Sequence, residues 1–280
     1  MRRIIIGWIV AVLLVPSAWA GDEPLWEAGL GFGIMTLPDY RGSDQNRLYV
    51  LPIPYLSYHG DKVRVDRGGV HGDLVRTNRA VLDLSMSLGP PVKSNDNTAR
   101  AGMPNIAPTV EAGPSLEWLL SENDKHDRKV MLRLPARAVL TSRGEYIGWV
   151  FSPHLNLDVL NLGPSGGWNF GAAIGPLYAS EKYNDYYYQV DPQYVTSTRA
   201  AYDAKGGYSG ARITLALSKR FPQYWVGAFM RYDSLSHAVF ESSPLVRREH
   251  AFMAGVGVSW IFIKSEERVQ VDRRLDTVAP

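Results

Sequence analysis

Cysteine is missing from all 280 residues. That absence excludes disulfides, thiolate nucleophiles, zinc–thiolate sites and the cysteine acylation that anchors a lipoprotein. A surplus of charge of one sign is missing too: 30 Lys+Arg stand against 28 Asp+Glu, and without Arg2 and Arg3 the balance is 28 to 28. No basic stripe is left to mark a nucleic-acid partner. Beyond the first twenty residues no apolar run approaches the ~20 residues of a helical membrane span. Histidines at metal-ligand spacing are lacking as well, since His59, His71, His126, His237 and His250 are scattered at turns and segment ends. The reading therefore predicts no metal, no cofactor and no catalytic residue.

What is present begins at the N-terminus. Arg2 and Arg3 precede an apolar run from Ile4 to Val15, then Pro16 and Ala18-Trp19-Ala20. A basic start, a short apolar core and a small-residue ending predict a secretory signal peptide over residues 1–20, cut after Ala20. The rest is rich in aromatics, with 8 Trp, 15 Tyr and 8 Phe, and in turn formers, with 26 Gly and 18 Pro. A soluble β-sandwich and a membrane β-barrel both fit that composition.

Alternation of period two separates them. Trp26, Ala28, Leu30, Phe32 and Ile34 alternate with Glu27, Gly29, Gly31 and Gly33, one parity suited to lipid and the other small or polar. The pattern returns at Leu82 to Leu88, Val110 to Trp118, Val130 to Leu140, Trp149 to Leu157, Trp168 to Ile174, Ala211 to Leu217, Tyr224 to Met230 and Phe252 to Phe262. Segments reach about ten residues, as tilted membrane strands need, whereas sandwich strands run to about five or six. Trp26, Trp118, Trp149, Trp168, Tyr224 and Trp260 fall near segment ends, where interfacial girdles sit.

The expected fold is all-β, a transmembrane antiparallel up-and-down barrel over residues 21–264. Eight strands begin near Arg79, Pro108, Arg128, Tyr146, Gly167, Gly207, Gln223 and His250, and two more cover Leu25 to Leu37 and Arg47 to Tyr58. Lys62 to Arg76 supplies two short strands split at Gly68-Gly69, or none. Because such barrels carry an even number of strands, the prediction is twelve, with ten as the alternative. Residues 265–280 form a charged, periplasmic tail beyond Phe262. Short connectors at His59 to Asp61, Ser121 to Asp127, Leu162 to Gly166 and Arg220 to Pro222 would be periplasmic. The longer ones at Pro38 to Asn46, Pro90 to Ala107, Ser180 to Gly206 and Ser236 to Glu249 would face outward.

The inward parity carries Glu27, Asp83, Glu111, Glu117, Asp158 and Asp233 against Arg133, Arg137, Arg212 and Arg231. Buried charges need partners, so a lumen closed by ion pairs is expected rather than a wide channel. Ser152, His154 and Asp158 share that face, but residues four apart on a strand are ~13 Å apart, so they line a lumen rather than form a triad. Gly29, Gly31 and Gly33 mark close approach rather than a nucleotide loop. Tyr183, Tyr186, Tyr187, Tyr188 and Tyr194 either cap the barrel mouth or offer stacking faces to a glycan.

Several segments resemble the MipA/OmpV family, named for the MltA-interacting protein. They are Pro38-Asp39-Tyr40-Arg41-Gly42-Ser43-Asp44, Pro52 with Pro54, Tyr187-Tyr188 with Val190, Tyr202-Asp203-Ala204-Lys205-Gly206-Gly207-Tyr208 and Ser243-Pro244-Leu245-Val246. The resemblance implies a barrel in the cell outer membrane, in contact with its lipids. It further implies a non-enzymatic scaffold that joins a murein-degrading lytic transglycosylase to a bifunctional penicillin-binding protein. A narrow pore or channel, a surface-adhesion or stress-response porin-like protein, and an outer-membrane hydrolase are the alternatives.

Overall fold

The computed structural model describes residues 22–60, 63–66, 69–72, 75–77, 79–164 and 166–270. The chain opens with β1 (Asp22–Pro24), then β2 (Trp26–Pro38) and β3 (Asn46–His59), a hairpin paired from Trp26↔Tyr58 to Pro38↔Asn46. Three short pieces follow, β4 (Val63–Asp66), β5 (Gly69–Gly72) and β6 (Val75–Arg76). Long strands resume with β7 (Ala80–Gly89), β8 (Thr109–Glu122), β9 (Arg128–Thr141), β10 (Tyr146–Phe151), β11 (His154–Leu162) and β12 (Trp168–Ala179). After helix α1 (Glu181–Tyr188) come β13 (Gly207–Arg220), β14 (Tyr224–Ser234), β15 (His250–Lys264) and β16 (Arg268–Gln270).

Every pairing among the described residues is antiparallel, and β15 pairs with β2, which brings the last long strand against the first. On the other side β5 packs against β7, and the sheet returns on itself as a barrel. Strands β10 and β11 occupy one place between β9 and β12. Pro153 separates them, having no amide hydrogen to give to a ladder. Counting β10 with β11 as one, the barrel sheet among the described residues holds ten long strands and the short β4, β5 and β6. Residues 1–20, read as a signal peptide, and 271–280 lie outside the described residues. Of the predicted tail, Arg268–Gln270 pairs with Asp22–Pro24 as a two-stranded ribbon apart from the barrel sheet.

The alternation sets the two faces. Leu30, Phe32, Ile34, Phe252, Val256, Trp260 and Phe262 are exposed, while Glu27, Ser259, Ile261 and Met253 on the opposite parity are buried. Two aromatic rings border the apolar belt. Trp118, Tyr224 and Trp260 lie at the end with short turns, and Tyr146, Trp149, Tyr178 and Phe252 at the end with long loops. Glycine is required where strands crowd: a Cβ on Gly31 would strike the Val258 carbonyl of β15.

A charge on the belt has no partner in hydrocarbon. Val256, 62% exposed and paired with Ala228 and Ile34, is therefore a sensitive position. Val256→Arg is expected to lower stability in lipid vesicles by about 2–4 kcal/mol. Ser259→Ala on the inner face should cost about 1 kcal/mol or less. Denaturant unfolding from vesicles measures both, and equally small effects would contradict the assignment of faces.

Candidate functional site

At the long-loop end the connections fold together into a cap. The turn after β2 is its hub. Asp39 pairs with Arg47 and accepts from Asn97 Nδ2 at 2.8 Å, tying this turn to the loop before β8. The Tyr40 hydroxyl donates to the Leu245 carbonyl at 2.7 Å, reaching the loop between β14 and β15. Arg41 donates to the Ser209 carbonyl at 2.8 Å and lies 3.2 Å from Asp233 on β14. Gly42 adopts φ +97°, a conformation costly for other residues, and its carbonyl accepts from Arg247 and Arg248. Apart from Pro52 and Pro54 in the wall strand β3, the segments that carry the family resemblance thus converge in space, and Ser243 completes the set by donating to the Tyr188 carbonyl at 2.7 Å.

Helix α1 seals the mouth. Ser180 caps it, accepting from the Tyr183 amide, and Glu181 favours the first turn, where the helix dipole is positive. Tyr183, Tyr186 and Tyr187 press on Val139, Ile147, Val150, Leu177 and Ala179, so the inner face becomes apolar where the helix lands. Tyr188 stacks on Phe240 with ring centroids 3.7 Å apart, inside a cluster that includes Tyr40, Ile106, Val190, Leu235 and Leu245. Tyr194 packs against the same cluster. Packing and hydrogen bonds within the cap thus occupy these rings.

Burial raises the Tyr183 and Tyr188 hydroxyls well above the usual phenol range and Tyr187 up to about 12. A raised folded-state value means that the neutral form holds the fold. This contribution is whole below the unfolded phenol value of about 10 and is lost as pH climbs through the folded values. In an alkaline titration followed by ultraviolet absorbance, a late-ionising tyrosine fraction should appear together with protease cleavage in 180–206. Ionisation of all tyrosines near pH 10, with no loosening of the loop, would contradict the buried helix.

Below α1 the lumen wall is lined by ion pairs between neighbouring strands. Arg133 meets Glu117, Arg137 meets Glu111 at 2.9 Å, and Arg212 meets Asp233 at 3.0 Å. Nearer the short-turn end Arg220 meets Glu27 at 2.7 Å. Between these levels lies a cavity of about 150 Å³, whose lining includes Arg133, Arg137, His154, Arg212 and Arg231. Ser152 and His154 do touch, but through the Ser152 carbonyl, which lies 2.7 Å from His154 Nδ1, while the Ser152 hydroxyl accepts from Arg137. His154 is therefore not placed to draw a proton from that hydroxyl. Among the described residues no group of three His, Asp or Glu is arranged to hold a metal ion.

The sequence reading placed Arg133, Arg137, Arg212, Arg231 and their carboxylates on the inner face, and they are there. It missed Arg41, assigned to an outer loop, whose side chain reaches Asp233. It also missed Arg220, assigned to a turn. The signal for Arg41 was its place between an aromatic residue and a glycine, Tyr40-Arg41-Gly42, in a turn between two strands.

Comparison with known proteins fits this geometry. Two curated relatives, each named "Putative outer membrane protein YiaT", come from Escherichia coli O157:H7 and Escherichia coli K12. Both are 26% identical over 261 residues, which cover 91% of this chain and 98% of theirs. A solved structure, the outer membrane protein OprG from Pseudomonas aeruginosa, aligns over 86% of this chain and 93% of that one. At 10% identity and a TM-score of 0.24, that overlap carries no argument. Residues 30–262 match the family described as MltA-interacting protein MipA, and the chain belongs to that family.

Proposed function

We propose that this protein is a non-enzymatic outer-membrane scaffold that brings murein-degrading and murein-synthesising enzymes together. The observation that carries the reading is the family match, whose description names interaction with a partner rather than a reaction. The relatives' names support the outer membrane as its location. On this reading residues 1–20 are removed on secretion, residues 21–264 form the barrel and residues 265–280 are a periplasmic tail. The long-loop cap faces outward, and the short turns present the docking side to the periplasm.

The closed interior favours a surface role over transport. Ion pairs line the lumen and α1 lies over its mouth, which leaves no wide path through the barrel. Pull-down of the tagged full-length chain from a detergent extract should recover a lytic transglycosylase together with a bifunctional penicillin-binding protein. Recovery of neither, under conditions in which a known envelope complex survives, would overturn the scaffold.

A further inference from the structure

We propose that the lumen cavity is a binding site for a small oxyanion that carries its own O–H group, such as a hydroxycarboxylate or a protonated phosphate. The first observation is charge. The side chains that line the cavity include four arginines, Arg133, Arg137, Arg212 and Arg231, and no carboxylate. The carboxylates stand behind them and are already taken: Glu117 by Arg133, Glu111 by Arg137, and Asp233 by both Arg212 and Arg41.

Arg231 is left over. Its cross-strand neighbours are Thr214 on β13 and Met253 on β15, neither of which carries a counter-charge. The charges around it belong to Arg212, Asp233, Arg41 and Glu111. Among the described residues no ion pair or hydrogen bond engages it. Arginine cannot shed its proton to escape this position, and a guanidinium in a water-poor interior needs an anion. Its planar fork fits carboxylate and phosphate oxygens.

The second observation is the opposite kind of vacancy. His154 Nδ1 faces the Ser152 carbonyl, which can only accept, so Nδ1 carries the proton. With its proton there, Nε2 presents a lone pair, and it is buried with no hydrogen-bond partner. His154 is among the residues that line the cavity, so an unmet acceptor lies in the same wall as the guanidiniums that ask for negative oxygens. A space of about 150 Å³ holds a molecule of a few heavy atoms, since one water needs about 10–15 Å³ by this measure.

Isothermal titration of the full-length, detergent-purified chain at fixed ionic strength tests the site with lactate, acetate and phosphate as probes. Lactate should bind saturably and several-fold more tightly than acetate, which has the same charge but no hydroxyl. The relative affinity of phosphate distinguishes the two ligand sources. Arg231→Met should weaken every probe by at least ~tenfold, with Arg231→Lys in between. His154→Phe should erase the lactate-over-acetate preference. A mobility shift on boiling confirms that each variant is folded. Failure of all three probes to saturate, or wild-type affinity in folded Arg231→Met, overturns the site. A lactate preference that survives His154→Phe overturns the role of Nε2.

Discussion

Phe240→Ala is expected to open the cap while leaving the barrel standing. Phe240 is fully buried and lies face to face on Tyr188, with an interplanar angle of 9°. It belongs to no strand ladder, so its contacts hold loops to loops rather than strand to strand. Truncating a buried phenylalanine costs about 3–5 kcal/mol, enough to make the open cap a populated state. Residues 180–206 and 235–249 should then become cleavable by added protease. Planar-bilayer recordings, expected to be silent for the wild-type chain, should show flickering conductance. The heat-dependent gel shift should persist, because the β2 to β15 pairings are untouched. A variant as protease-resistant and as silent as wild type would mean that the loops are held by something other than this cluster.

Asp233→Ala should be the most damaging change in the lumen. The carboxylate is fully buried and neutralises Arg212 at 3.0 Å and Arg41 at 3.2 Å, with Arg231 two positions earlier on the same strand face. Its removal leaves these guanidiniums facing one another away from water, and breaking one side of a buried pair costs about 3–5 kcal/mol. Denaturant unfolding reads the loss directly. Adding Arg41→Met should recover part of it, with a coupling of about 0.5–3 kcal/mol, because a stranded charge is removed along with its partner. Strict additivity would show that Arg41 and Asp233 do not act together.

The strands were legible for a local reason. Each alternates between lipid and lumen with period two, and that pattern needs no knowledge of distant residues. The predicted starts at Tyr146, Gly207 and His250 coincide with the observed ones, and those at Arg79, Pro108 and Gln223 differ by one residue. Residues 63–72 were harder, because four-residue strands are too short to establish a period. The site was less legible than the walls around it. Tyr40 reaches a carbonyl 205 positions away and Tyr188 one 147 positions away, and neither loop carries a periodic signal that would announce such contacts. The inner charges could be placed on a face from the strand pattern, but the sharing of Asp233 by Arg212 and Arg41 depends on how one loop folds over the mouth. Arg231 was visible as an inward residue. That it lacks an ion-pair partner emerged only from the register, which sets it between Thr214 and Met253.

All of these expectations rest on a closed barrel that spans a membrane with its apolar face in lipid. The most direct test is gel electrophoresis of the chain purified from outer-membrane fractions, with and without boiling. The account predicts a β-barrel species that resists detergent and changes mobility only when boiled. A chain recovered from the soluble fraction, with the same mobility before and after boiling, would contradict it.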